Sequence, residues 1–190
     1  MSRAAPATVL VLEPIPENLL REPVDYLFAE HYRQRQVLAA LDDFLDRAYF
    51  ERELTPEWQD VLGTVVGYLE VEFPLHIADE DMDVFPALRR ACEGDAGTAA
   101  VLQQLSNEHK DEPAELKALI GGLKQLLVGA KLPDSVAYLN RTLRFVEMQR
   151  HHLIWENNVV LPLARRKLST EEMQKIGTRM AKRRNLSIPD

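Results

Sequence analysis

The sequence predicts an all-α chain: an antiparallel four-helix bundle with an irregular N-terminal arm and a short fifth helix at the C-terminus. Three observations carry this expectation. Apolar residues recur at helical spacing over four long stretches. Caps, glycines and prolines separate those stretches. No run of any length alternates apolar and polar residues as a strand does. The 190 residues suit one domain, read as an arm over 1–21 and a bundle over 22–185.

The arm holds Pro6, Pro14 and Pro16. Pro23 suits the first turn of a helix. Val24, Leu27, Phe28, His31, Leu38, Leu41 and Leu45 then mark one helical face. Thr55-Pro56 is an N-cap and first-turn pair for a second helix. Its stripe is Leu62, Val65, Val66, Leu69, Phe73, His76 and Glu80. Pro74 should kink this helix or be absorbed by side-chain and water contacts, and Pro86 should mark its disruption. Gly94 and Gly97 belong to the next connection. The third stripe is Leu102, Leu105, His109, Leu116, Ile120, Leu123 and Leu127. Pro133-Asp134-Ser135 separates it from the fourth, with Leu139, Phe145, Met148, His152, Glu156 and Val159. Ser169 and Glu172 form a capping box for the fifth helix, up to about Arg184. Each long helix should run about 25 to 35 residues, or on the order of 40 Å.

Composition excludes several functions. With 23 basic and 30 acidic residues the net charge is −7, which argues against a nucleic-acid partner or an anionic membrane. Cys92 is the one cysteine, so an intrachain disulfide, a Cys-rich zinc site and a cysteine-held iron–sulfur cluster are all excluded. No glycine-rich phosphate loop occurs. The apolar run Ala7 to Leu12 is too short for a signal-peptide core or a membrane span. The expectation is a soluble, cytoplasmic protein.

The polar residues in the apolar stripes repeat. The first half has His31, then His76-Ile-Ala-Asp-Glu80, then Pro86. The second has His109, then His152-Leu-Ile-Trp-Glu156, then Pro162. In both, Glu follows His by four and Pro follows Glu by six. The text around the prolines also agrees, Asp83-Val84-Phe85-Pro86 against Val159-Val160-Leu161-Pro162. His and Glu four apart share one helix face. Both lie on the apolar stripe, so each half aims two His and one Glu at the bundle centre. A buried carboxylate without a partner costs several kcal/mol or turns neutral. Four His and two Glu arranged twofold are poor packing but good ligands for iron, manganese or zinc. A lone His on such a face is ordinarily a hydrogen-bonded core residue, and a lone His-x-x-x-Glu a surface pair. Their repetition outweighs that reading.

In these residues the chain resembles the hemerythrin-like (HHE cation-binding) proteins over about residues 22 to 185. The resemblance rests on Glu30-His31, His76-x-x-x-Glu80 with Pro86, Glu108-His109, and His152-x-x-x-Glu156 with Pro162. It implies a hemerythrin-like bundle around a non-heme di-iron centre. His31 and His76 would serve one iron, His109 and His152 the other, with Glu80 and Glu156 bridging. Oxygen-carrying hemerythrins have a further His one turn after the equivalent of His109. Here that residue is Pro113, and Glu112 is a candidate in its place. The last carboxylate is also a Glu four after His, where the carriers have an Asp five after it. If each iron takes two His, one oxygen of each Glu and a bridging oxo or hydroxo, about one octahedral position per metal stays open. That should favour O2, NO or peroxide at both irons over secure oxygen storage.

The spacing is also similar to the di-iron domain of iron–sulfur-cluster repair proteins of the nitrosative-stress response. Those usually carry an N-terminal extension with cysteines. This chain begins essentially at the di-iron domain, with Cys92 its one thiol. His151 should point away from the centre, paired with Glu147. Glu72 and Glu108 are candidate acceptors for an imidazole N–H, although the solvated helix face is the ordinary role for both. Tyr26, Tyr32 and Trp155 are candidates to line the site, with aromatic core as the default. From Arg165 onward there are eight basic and three acidic residues. They read as a solvated helix, or else as a docking surface for a redox or other protein partner. The expected function is a His4Glu2 di-iron protein that binds or senses O2, NO or peroxide. The alternatives are a stress enzyme or iron donor of the cluster-repair type, and an iron-dependent regulatory module.

Overall fold

The computed structural model describes residues 9–47, 49, 54–132 and 134–186, without the side chains of Asp111 and Glu112. It is all-α. The helices are α1 (Pro23–Arg47), α2 (Pro56–Asp79), α3 (Phe85–Ala91), α4 (Ala96–Leu127), α5 (Ser135–Trp155), α6 (Leu161–Lys167) and α7 (Thr170–Arg183). A five-residue π turn joins α2 to α3, Glu80–Val84, and another joins α5 to α6, Glu156–Val160. Each joined pair is therefore one long rod. α1 packs on α2 and α5, and α4 packs on the same two, so the four long helices close a square. α7 lies across one end, against α1, α2 and the first π turn.

The helix starts follow local chemistry. Thr55 Oγ1 accepts from the Trp58 N–H with Pro56 at the first helical position. Asp95 caps α4 through the Gly97 and Thr98 N–H groups, so Gly97 is in the first turn of the helix and not in the connection. Asp134 caps α5, and Ser169 with Glu172 forms the expected capping box on α7. Pro74 and Pro113 stand inside α2 and α4, which continue past them. The arm is not wholly irregular, since Glu17–Arg21 is a 3-10 turn that buries Leu20.

The disruption expected at Pro86 is a single widened turn. Proline has no N–H and its ring clashes with the carbonyl four residues back. In the π turn the Phe85 N–H bonds the Glu80 carbonyl five residues back, and Leu161 does the same to Glu156. The helix gains one residue there and continues. This shifts its face by one position, so Val160 is buried and Val159 only partly so.

The core is two apolar layers with a polar layer between them. Val37, Leu41, Phe44, Trp58, Leu62, Leu69, Phe73, Leu119, Leu123 and Phe145 belong to one apolar layer. Leu20, Leu27, Val84, Phe85, Leu88, Leu102, Leu105, Leu161, Ile176 and Met180 belong to the other. On every long helix the chain passes from one layer to the other through buried polar residues. Leu27 gives way to His31 and Gln34 before Val37, and Phe73 to His76 and Glu80 before Val84. Leu105 gives way to His109 before Leu116, and Phe145 to Gln149, His152 and Glu156 before Val160. The rod Pro56–Ala91 is long and apolar enough by composition to cross a membrane. It is also one wall of this core and buries His76, Asp79, Glu80 and Asp83.

Candidate metal centre

The polar layer brings the six residues of the repeat together. His31, His76, Glu80 and Glu156 each offer a donor atom within 4.8 Å of the others. So do His109, His152 and the same two glutamates. Both glutamates are common to the two groups, which is the arrangement that two adjacent metal ions with two bridging carboxylates require. All six side chains are buried, and His31, Glu80 and Glu156 are completely enclosed.

The Nε2 atoms face inward. His31 Nε2 stands 3.6 Å from Glu80 Oε1 and 3.5 Å from Glu156 Oε2. Glu80 Oε2 is 3.6 Å from both His76 Nε2 and His109 Nε2. His152 Nε2 is 2.9 Å from Glu156 Oε1 and 3.0 Å from His109 Nε2. Two donors about 2.1 Å from a common metal stand roughly 3.0 Å apart at a right angle and farther apart at wider angles. His31 Nε2, both Glu80 oxygens and Glu156 Oε2 are buried without a hydrogen bond. Four such atoms in one buried cluster are costly without a cation and suited to one.

The Nδ1 atoms face outward, and each has an oxygen partner. His76 Nδ1 meets Glu30 Oε2 at 3.3 Å, and His152 Nδ1 meets Glu108 Oε2 at 2.7 Å. His109 Nδ1 meets Asp81 Oδ2 at 3.1 Å, and His31 Nδ1 meets Asn157 Oδ1 at 3.1 Å. Such contacts fix the ring and its tautomer so that Nε2 is the donor toward the centre. They obey the twofold repeat. The Glu before the first His of each half serves the second His of that half. The residue after each central Glu serves the first His of the other half. The departure is chemical, a carboxylate at Asp81 and a neutral amide at Asn157. The Asn157 amide is oriented by its Nδ2–H, which donates to the Leu153 carbonyl at 2.7 Å. The rings are also packed: Phe85 stacks on His109, centroids 5.7 Å apart and nearly parallel, and Phe73 lies against His76.

The electrostatics follow. Burial pulls the His76 pKa down, but the Glu80 charge and the Glu30 hydrogen bond outweigh it and raise it to about 10. Burial likewise opposes the charge on His152, while Glu156 and Glu108 raise its pKa to about 11. Burial and the neighbouring Glu156 push the Glu80 carboxyl up. Glu156 is held low because His152 and its other imidazole neighbours outweigh the effect of burial.

The other candidates divide. Glu108 accepts from His152, whereas Glu72 pairs with Arg33 at the surface. His151 is exposed beside Glu147, away from the centre. The Glu112 side chain lies outside the described residues. Tyr26 is buried in the apolar layer below the centre, but Tyr32 and Trp155 are exposed and are not aromatic core. Trp155 lines a groove of about 780 Å3 between α4 and α5, whose wall includes Glu108 and His152. Asp81 and Asn157 carry no sequence signal of their own, and Glu30 enters the sequence reading only within the Glu30-His31 dipeptide. The repeated Glu-His dipeptide, Glu30-His31 and Glu108-His109, was the signal for two of the four Nδ1 partners.

The fold and site define an α-helical bundle whose centre is built for metal. The chain matches the family described as Hemerythrin HHE cation binding domain over residues 22–164, and it belongs to that family. It is also 24% identical over 179 residues to an uncharacterized protein of Haemophilus influenzae, covering 93% of this chain and 98% of that one.

Proposed function

We propose that His31, His76, His109, His152, Glu80 and Glu156 hold two iron ions, and that the centre binds or senses O2, NO or peroxide. The observation that supports this most is the sharing of Glu80 and Glu156 by two otherwise separate His pairs. Two irons held there would supply one-electron redox change and Lewis-acid binding of a small molecule. The residues around them do the rest. Glu30, Asp81, Glu108 and Asn157 hold the imidazole rings with Nε2 inward. Phe73, Phe85 and the apolar layers exclude water above and below. The groove along α4 and α5 brings small molecules to the His152 side. His4Glu2 ligation is also compatible with manganese or zinc.

The test is the absorption spectrum of the iron-loaded, reduced protein, exposed separately to air and to NO. Distinct new visible bands on exposure are the expected result. An unchanged spectrum with both gases would overturn the ligand-binding role. Catalytic turnover of NO or peroxide with an added reductant would move the protein to the enzyme class.

A further inference from the structure

The twofold repeat is broken on one side by α7, which lies beyond the residues matched by the family. Arg184 Nη2 donates to Glu30 Oε1 at 2.8 Å and stands 2.7 Å from Asp79 Oδ2. The other oxygen of Glu30 is the one that meets His76 Nδ1. The guanidinium also covers the Tyr26 ring, 4.9 Å from its centroid. Arg183 pairs with Asp79 at 2.7 Å and with Asp83, and Arg179 pairs with Asp83 too. Asp79 and Asp83 flank Glu80 in sequence and are buried. Removing α7 would leave Glu30, Asp79 and Asp83 without these cations. A buried carboxylate that loses its partner turns toward water or takes a proton.

The position of Arg184 is set by the end of its helix. Asn185 has φ +56°, in the left-handed region, and the Leu186 N–H bonds the Ala181 carbonyl. This closure fixes Arg184 at the C-cap, with Leu186 against the apolar layer. In the other half, among the described residues, the counterpart Glu108 accepts from a glutamine, Gln104, besides the imidazole, and is partly exposed.

We infer that Arg184 is a positioning residue for one half of the centre: through Glu30 it orients His76, so that docking of α7 and metal occupancy of the His31/His76 half-site favour each other. The His109/His152 half-site has no such dependence. The two half-sites therefore fill unequally when α7 is disturbed. This rests on reading the six side chains as a two-metal centre.

The experiment is Co2+ titration of the full chain, followed by visible absorption, for wild type, R184Q, R184K, E30Q, R184Q/E30Q and E108Q. Wild type should take two equivalents. R184Q should weaken one of them about tenfold or more, the usual cost of disturbing a group that orients a ligand, and leave the other nearly unchanged. R184K, which keeps the charge, should lose less. The double variant should be no weaker than E30Q alone, because both substitutions cut one chain of contacts. E108Q should weaken the other equivalent. Far-UV circular dichroism checks that helicity is retained. Equal weakening of both equivalents by R184Q, or of neither, would overturn the inference. If wild type takes up no Co2+, the two-metal reading fails. The coupling to metal then fails with it, and the orientation of His76 through Glu30 and Arg184 is decided separately on the metal-free protein by 15N NMR of the imidazoles. A shift at His76 but not at His152 in R184Q supports it, and unchanged spectra overturn it.

Discussion

Loading the centre should release protons, about one per metal. In the metal-free protein His76 has its pKa raised to about 10 and His152 to about 11, so both are protonated at neutral pH. A ligating imidazole must be neutral at the donor nitrogen. One raised histidine belongs to each half-site. The apparent affinity of each metal should therefore rise about tenfold per pH unit between roughly pH 6 and 8, or about 1.4 kcal/mol per unit. The metal-free protein should respond to pH in the opposite sense. A histidine whose folded pKa is raised stabilises the fold fully below its unfolded value, about 6.5, and that contribution is lost as pH rises through the folded value. Metal-free protein should thus melt lower at pH 10 than at pH 7, while metal uptake strengthens as pH rises toward 8. Calorimetric Co2+ titration in buffers of different ionisation enthalpy counts the protons directly. A pH-independent affinity with no proton release would contradict protonated His76 and His152 and place neutral imidazoles at the centre before metal arrives.

Three further outcomes follow from the packing and the shared ligands. Glu80→Gln should weaken both metal equivalents, because Glu80 belongs to both donor groups, whereas His76→Ala should abolish only one; equilibrium titration of the two variants separates these. Phe85→Ala removes a fully buried ring stacked on His109 and should cost about 3–5 kcal/mol in chemical denaturation. Gly122→Ala would place a methyl 2.0 Å from the Tyr138 ring, which donates to the Leu119 carbonyl and stacks on Tyr49. The displaced ring should cost about 1–3 kcal/mol, read as a lower thermal midpoint without change in metal stoichiometry.

The helices and the six central residues were legible because both come from spacing along one chain. His76 and Glu80 share a face whatever surrounds them, and their echo at His152 and Glu156 points to the cluster that the bundle assembles. What was not legible depends on contacts between helices. Glu108 and Glu72 both read as solvated face or as imidazole acceptors, and only the packing of α5 beside α4 makes Glu108 the partner of His152. Asp81 and Asn157 follow the central glutamates, and each serves a histidine from the other half of the repeat. Pro86 and Pro162 announce a disruption, but whether a rod breaks or widens depends on what packs around it. The basic C-terminal segment reads as a solvated helix or a docking surface. Arg179, Arg183 and Arg184 instead turn onto acids of their own chain, a pairing of residues about a hundred or more positions apart. Sequence periodicity carries no information about such distant partners.

Metal analysis of protein loaded anaerobically with Fe2+ and freed of excess ion shows whether the six side chains hold two irons. About two irons per wild-type chain, and loss of retained iron in the variant carrying both His76→Ala and His152→Ala, is the predicted result. A wild-type chain that holds no iron, or a double variant that keeps as much as wild type, would contradict it.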